Sequence, residues 1–294
     1  MTTFSSTTLR LNFPQWQGGN LDAYHFGSQL LAWLAPKAEG PEETVDVVAP
    51  DGNEQPLQNG ILGRSAILGQ AASARRLIEK HSPDRIVVLG GDCAVDLVPF
   101  SYLNERYGGE LAVLWVDAHP DVLTPAEFQN AHAMVLRNLM GLGDPELAAQ
   151  VKEPIKPRNI MYAGLRETSE METAFIKEHG LRNAGSDALA ATSEPVLRWL
   201  KDIGAKHVAI HFDLDVLDAT TFRSLYFSRP DAVPGQFDGI PQGKMTMPQV
   251  LRLIQDVAGA VDIVGLGIAE HLPWDAIELK NLLQKLPLLG SRAV

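Results

Sequence analysis

Four short groups of acidic residues carry side chains that bind metal ions and move protons. They are Asp92-Cys93, Asp117-Ala118-His119-Pro120-Asp121, Asp213-Leu214-Asp215 and Glu270-His271. Each group alone is also typical of a solvated turn or a helix cap, but all four directly follow apolar runs. Carboxylates with one imidazole suit hard divalent ions such as Mn²⁺. Two such ions about 3.5–4 Å apart hold a hydroxide that acts as a nucleophile at neutral pH. The groups together indicate a binuclear metal site.

The elements that must position these groups are predicted strands. Apolar runs rich in Val, Ile and Leu span residues 84–91, 111–119, 159–166, 207–215 and 261–270. Segments with helical spacing lie between them, at 65–81, 194–204 and 246–259, the last with Thr246 as N-cap. Strands that alternate with helices predict a parallel sheet covered on both sides, within a single domain over residues 1–294. Because ligands bind at the carboxyl ends of such strands, we expect the acidic groups to converge on one crevice.

Alternation along a strand gives a more specific expectation. In an extended chain, Asp117, His119 and Asp121 share one face, as do Asp213 and Asp215. Carboxylates packed this closely repel one another and raise their own pKa values, and divalent cations would compensate that repulsion.

The composition limits the function classes. The net charge of −11 and the pI of about 5.2 argue against a nucleic-acid or anionic-membrane surface. A single cysteine excludes an intramolecular disulfide framework. The N-terminal residues do not have the pattern of a signal peptide, and no apolar run reaches the roughly 18 residues of a membrane helix. We predict a soluble cytoplasmic protein that binds neither nucleic acid nor membrane. The irregular stretch 219–245 is either a wall of the active site or a surface excursion.

In order and spacing, the four groups resemble the motifs of the ureohydrolase superfamily, which includes arginase, agmatinase and formimidoylglutamase. The family pattern of GGDH, DAHxD, DxDxxDP and a late glutamate corresponds here to "GGDC" at 90–93, "DAHPD" at 117–121, "DLDVLDA" at 213–219, and Glu270. The resemblance implies a three-layer α/β/α fold with a central, mostly parallel sheet. It also implies two Mn²⁺ ions per chain, hydrolysis of a guanidino or amidino C–N bond, and a homo-oligomer, either a trimer or a hexamer.

The resemblance also implies roles for individual residues. Asp117 and Asp213 would bridge both metals, Cys93 and Asp121 would complete one metal site, and His119 and Asp215 would complete the other. The implied catalytic residues are Asp121, His132 and Glu270. The implied substrate-binding residues are Asn130, His132, Glu172 and Glu270. His211 and His271 match no family ligand and are interpreted as structural or supporting residues.

Some positions depart from the family pattern. Cys93 replaces a histidine, Ala133 a glycine, Ala219 a proline, and Ser169 an aspartate. Cys93 is therefore either a thiolate ligand or a small buried side chain, and we favour the ligand.

The predicted function is a metal-dependent amidinohydrolase that releases urea from an arginine-like or other small guanidino compound. N-hydroxyarginine is among the candidates, and we expect specialisation away from arginine. One alternative is a weakly active or non-catalytic family member with a regulatory or assembly role. Another is a different metallohydrolase that uses the same pair of ions.

Overall fold

A computed structural model describes residues 6–286 and 288. Its centre is a sheet of eight parallel strands in the spatial order β2-β1-β5-β10-β9-β6-β7-β8. These strands are β1 (Thr8–Phe13), β2 (Glu42–Thr44), β5 (Arg85–Gly90), β6 (Ala112–Val116), β7 (Ile160–Ala163), β8 (Arg182–Ala184), β9 (His207–Asp213) and β10 (Asp262–Ala269). Two further strands, β3 (Leu57–Gln58) and β4 (Ile61–Leu62), form a small antiparallel pair.

Nine α-helices occur within the described residues. They are α1 (Ala23–Leu34), α2 (Arg64–His81), α3 (Leu97–Arg106), α4 (Val135–Leu139), α5 (Pro145–Ala148), α6 (Glu170–His179), α7 (Glu194–Ile203), α8 (Met247–Ala260) and α9 (Trp274–Lys285). Helices α2, α3 and α4 pack on one face of the sheet, and α7 and α8 pack on the other. The predicted three-layer α/β/α architecture is therefore confirmed, with every strand of the main sheet parallel to its neighbours.

Strand β6 explains why the sheet is covered on both faces. All five of its residues are buried and apolar. Val113 and Trp115 belong to the core under α2 and α3, whereas Leu114 and Val116 belong to the core under α7 and α8. A strand with two apolar faces is stable only between two layers, because either face left in water would forgo the free energy of apolar burial.

All five predicted strands and all three predicted helices are present, with ends shifted by a few residues. Helix α8 begins after Thr246 as expected, and the backbone N–H of Thr246 donates to Gln249 Oε1 at 2.8 Å. Strand β6 ends at Val116, three residues before the predicted end. In the described part of the chain, no helix combines the length and the hydropathy needed to cross a membrane.

Candidate metal centre

The four acidic groups meet at the carboxyl ends of four adjacent strands, β5, β10, β9 and β6. These strands are far apart in the chain, but their order in the sheet makes them neighbours. The turn after β5 depends on Gly91, where a Cβ would lie 1.7 Å from the backbone oxygen of Gln15. Only glycine fits this close approach, which directs Cys93 toward the other three groups. The predicted convergence on one crevice is therefore present.

Cys93 lies within the carboxylate cluster. Its Sγ is 3.0 Å from Asp213 Oδ2 and 3.6 Å from Glu270 Oε1. Burial raises the pKa of the thiol well above its usual value, and the charges of Asp213 and Glu270 raise it further. A cation at this position would reverse the shift and favour the thiolate, which is the metal-binding form of cysteine.

Asp117 lies between two sets of possible ligand atoms. One set consists of Cys93, Asp121 and His211, which we call the Cys93 half. The other consists of His119 and Asp215, which we call the His119 half. In each half, the ligand atoms and those of Asp117 all lie within 4.8 Å of one another.

Contacts inside the two halves leave lone pairs free. His119 Nδ1 is 3.0 Å from Asp215 Oδ2 and 3.6 Å from Asp117 Oδ1. Among the described residues, Asp121 Oδ2 and Asp215 Oδ1 are buried and have no hydrogen-bond partner. A buried carboxylate oxygen without a partner is costly, and a coordinated cation would satisfy it.

The electrostatics of the cluster also fit a cation. Burial raises the pKa values of Asp117 and Asp213 well above the usual carboxyl value, and neighbouring carboxylates add to the shift. Burial also raises the pKa of Asp121 to about 7, although His211 and His132 oppose the rise. A divalent ion favours charged carboxylates and would return these pKa values to lower ones. The donor set thus fits the two-metal centre implied by the resemblance, and the individual ligand assignments stay predictions.

Glu270 lies beside the cluster and is held by two donors. Tyr24 Oη donates to Glu270 Oε2 at 2.7 Å, and His132 Nδ1 donates to Oε1 at 2.8 Å. Burial alone would lower the pKa of His132, but the hydrogen bond and the charge of Glu270 raise it to about 9. The two donors fix the carboxylate in one orientation, with lone pairs remaining on both oxygens.

A cavity of about 580 Å³ opens onto the cluster. The predicted substrate residues Asn130, His132, Glu172 and Glu270 all line it. Asn130 Nδ2 donates to the backbone oxygen of Gly19 at 3.1 Å, which fixes the amide. Glu172 Oε2 accepts hydrogen bonds from Ser169 N and Oγ, both at 2.8 Å, in the capping box of α6. Its carboxylate therefore already has a structural function in addition to the predicted substrate contact.

The stretch 219–245 supplies part of the cavity wall, as one of the two sequence interpretations expected. Tyr226 and Phe227 line the cavity, and both pack edge-on against Phe237 with ring centroids 5.3 and 5.5 Å away. Pro241 accepts a hydrogen bond from His119 Nε2 at 3.0 Å through its backbone oxygen. The loop thus contacts both the cavity and the metal cluster.

Strand alternation does not bring Asp117, His119 and Asp121 together, contrary to the expectation. Strand β6 ends before Asp117, and the residues after it form a bend in which Asp121 has a left-handed φ of 52°. This bend directs the Asp121 carboxylate into the Cys93 half. The side chains of Asp117, His119 and Asp121 therefore reach the same site through the bend after β6, and not through the alternation of an extended strand.

Two residues at the site escaped the sequence reasoning. Tyr24 lies 246 positions from Glu270, and nothing in the sequence signals that contact. His211 was interpreted as structural or supporting, yet its ligand atom lies in the Cys93 half. Its signal was available, because His211 precedes Asp213 by two residues on one strand and so shares its face.

Comparison with known proteins places the chain in a family. Residues 61–277 match the model of the arginase family. The arginase of Staphylococcus aureus strain MRSA252 is 34% identical over 139 residues, which cover 45% of this chain and 46% of that protein. The chain spans about half the length of the curated relatives it matches.

Solved structures extend the similarity of fold to nearly the whole chain. An arginase from Entamoeba histolytica in complex with L-ornithine aligns with a TM-score of 0.75 at 19% identity, covering 91% of each chain. The arginase of Bacillus caldovelox aligns with a TM-score of 0.71 at 20% identity, covering 92% of each chain. At such identities the structural matches establish the fold alone.

Proposed function

Because the chain belongs to the arginase family, we propose that it is a metal-dependent hydrolase of a guanidino or amidino C–N bond. The substrate would be an arginine-like or other small guanidino compound, with N-hydroxyarginine among the candidates. The products would be an amine and urea, or an amine and hydroxyurea if the substrate is N-hydroxyarginine. One observation carries the proposal. The predicted ligands lie close together, all of them except Asp117 line one cavity, and two of their buried carboxylate oxygens have no partner among the described residues.

Two Mn²⁺ ions are the metals we propose. Asp117 and Asp213 are the proposed bridging ligands, with Cys93 and Asp121 for one ion and His119 and Asp215 for the other. Bound there, the ions would lower the pKa of water enough to supply a nucleophile at neutral pH.

Glu270 is the proposed binding group for the guanidinium. A carboxylate accepts paired N–H bonds from a planar guanidinium, and burial of Glu270 strengthens that interaction. Tyr24 and His132 hold the carboxylate in place, so it does not have to reorganise when the substrate enters.

His132 is the proposed proton donor to the leaving amine. With a pKa raised to about 9, its ring carries a proton on both nitrogens at neutral pH. Nδ1 is engaged by Glu270, which leaves the Nε2 proton for the amine. Asp121 is the second residue we propose for proton transfer, because it lines the cavity together with His132 and Glu270.

Arg229 favours a substrate that carries a carboxylate. Its guanidinium lines the cavity and is paired with Asp231, which lies outside the cavity lining. Although Asp231 offsets part of its charge, a guanidinium in the cavity wall would attract a carboxylate and repel an amine. The geometry therefore supports guanidino acids over agmatine-like amines.

The test is release of urea, or of hydroxyurea from N-hydroxy-L-arginine, by the purified protein with Mn²⁺, measured across a panel of guanidino compounds. The panel contains L-arginine, N-hydroxy-L-arginine, agmatine and ω-guanidino acids of several lengths. We expect at least one carboxylate-bearing compound to be hydrolysed, with a kcat/KM above that for L-arginine. Arginine turning over faster than every other compound would contradict the expected specialisation. Two bound metals with no hydrolysis of any compound would favour the non-catalytic alternative.

A further inference from the structure

The buried pair of His211 and Asp96 is not explained by the roles assigned so far. His211 is fully buried in β9, and its Nδ1 lies 2.7 Å from Asp96 Oδ2. Its ring stacks on Trp115, with centroids 3.8 Å apart. Within the described residues, Nε2 is buried with no hydrogen-bond partner, and it lies 3.8 Å from Asp117 Oδ2.

The sheet makes room for this pair. Gly267 on β10 is the direct neighbour of His211 on β9. A Cβ at position 267 would lie 1.9 Å from Asp96 Oδ2, so the carboxylate occupies the space that a side chain would fill. A glycine inside a strand weakens the strand, and here the close approach of Asp96 accounts for it.

The hydrogen bond to Asp96 determines which nitrogen of His211 is free. A neutral ring that donates Nδ1–H to a carboxylate keeps a lone pair on Nε2. Proteins use this arrangement to orient a metal-binding histidine and to make it a stronger base. A buried polar atom left without a partner would cost about 1–3 kcal/mol, and a metal ion would remove that cost.

The free nitrogen points to the Cys93 half. The ligand atoms of His211, Cys93, Asp117 and Asp121 all lie within 4.8 Å of one another. Three of these residues were already predicted ligands. His211 is therefore the only imidazole in this group of four. The family pattern has a histidine at the position of Cys93, so the cysteine leaves the group without that imidazole.

We propose that His211 Nε2 is an additional ligand of the metal ion held by Cys93, Asp121 and the bridging carboxylates, and that Asp96 is its positioning residue. The imidazole absent from position 93 is thus supplied by β9, which is separated from β5 by β10 in the sheet. This inference rests on the proposed metal-dependent function. A set of one thiolate, one imidazole and three carboxylates favours ions such as Co²⁺, Zn²⁺ or Fe²⁺ more than an all-oxygen site does.

Cobalt binding tests the assignment without relying on activity. Thiolate-to-cobalt charge transfer in the near ultraviolet reports only the ion bound by Cys93. We expect the parent to bind two Co²⁺ per chain and to show this band. His211→Asn should keep the ion of the His119 half and bind the other at least about 100-fold more weakly, since even supporting residues cost 10–100-fold.

His271→Asn is the matched control. His271 is also a buried imidazole, its Nδ1 donates to the Gly27 backbone oxygen at 2.9 Å, and it belongs to none of the ligand groups. The His271→Asn variant should bind two Co²⁺ ions and show the thiolate-to-cobalt charge-transfer band. If His211→Asn binds both ions as tightly as the parent, the inference is wrong while the metal centre stands. If the parent binds no Co²⁺, the metal centre itself is wrong and the inference fails with it.

Two further variants separate ligation from folding. Asp96→Asn leaves His211 in place and should weaken binding of the Co²⁺ ion that gives the charge-transfer band by about 10–100-fold. Adding Cys93→His to His211→Asn should restore the second ion, because an imidazole again reaches that metal. An unchanged affinity in Asp96→Asn, or no recovery in the double variant, would contradict the proposal.

Discussion

The Cys93 half and the His119 half share Asp117 but are held in place by different parts of the molecule. Cys93 is 2% exposed and His211 is fully buried, whereas the side chain of His119 is 29% exposed. The second nitrogen of His211 meets the buried carboxylate of Asp96, and that of His119 meets a backbone oxygen in the loop 219–245.

The difference assigns a separate function to each half. Core packing and a carboxylate partner orient the Cys93 half before any ligand binds, and the carboxylate makes the imidazole more basic. The His119 half depends on the partly exposed loop 219–245, which also lines the cavity. We therefore expect the Cys93 half to set metal affinity and metal preference, and the His119 half to respond to changes in the loop and the substrate.

Removing Asp117, the ligand that both halves share, should affect the Cys93 half and the His119 half equally. Asp117→Ala takes a carboxylate from both halves, so we expect both ions to be lost. Changes to residues outside the ligand set cost 10–100-fold, so kcat/KM should fall by more than about 100-fold. Asp218→Asn is the control, because Asp218 follows the same strand as Asp215 but belongs to no ligand group. Elemental analysis that finds two ions in Asp117→Ala would show that Asp117 bridges nothing.

Glu270→Gln should leave both halves intact and remove only substrate binding. We expect two ions to remain and kcat/KM to fall by a factor equivalent to about 2–5 kcal/mol, because a buried guanidinium loses its charged partner. Metal loss in this variant would mean that Glu270 is itself a metal ligand. Its position allows this outcome, because the ligand atoms of Asp213, Asp215 and Glu270 all lie within 4.8 Å of one another.

The same variant has a pH signature at His132. The pKa of His132 is raised to about 9, so its protonation stabilises the fold fully below about pH 6.5 and that contribution is lost as pH rises through about 9. Without the Glu270 charge, burial dominates and the pKa should fall below 9. Imidazole NMR titration of the parent and Glu270→Gln measures the shift, and equal values would contradict the pairing.

Changing Cys93 should affect one half only. Cys93→Ala removes a ligand, so one ion should bind at least about 100-fold more weakly, while the ion of His119 and Asp215 stays in place. Cys93→His should keep two ions and move the preference from softer ions toward Mn²⁺, because imidazole is harder than thiolate. Competition between Mn²⁺ and Cd²⁺ measures that preference. Equal binding of both ions by Cys93→Ala and the parent would show that the cysteine is only packing.

The smallest effect should come from the loop. Pro241→Gly keeps the backbone oxygen that His119 contacts but loosens the chain around it, at a cost of about 0.4–1 kcal/mol. The ion of the His119 half should therefore bind about 2–5-fold more weakly. Pro234→Gly lies in the same loop without that contact and serves as control. If metal binding is weakened equally in Pro241→Gly and Pro234→Gly, the contact between Pro241 and His119 does not support the His119 half.

Much of this molecule follows from local sequence. Continuous apolar runs predict buried parallel strands because a strand covered on both faces has no polar side, and strands β5, β6, β7, β9 and β10 all conform. The acidic groups could be placed at one crevice because the carboxyl ends of parallel strands share one edge of the sheet. Strands β1, β2 and β8 were not predicted, and the two edge strands, β2 and β8, have only three residues each and mostly exposed side chains.

The tertiary structure decided how the site is completed. The order β5-β10-β9-β6 differs from chain order, and it alone brings Glu270 beside Cys93. Asp96 reaches His211 only because Gly267 on a third element leaves space for its carboxylate. Sequence fixes which residues follow each strand because that depends on local spacing. Contacts between distant residues depend on strand order and on how closely backbones approach, which no local pattern encodes.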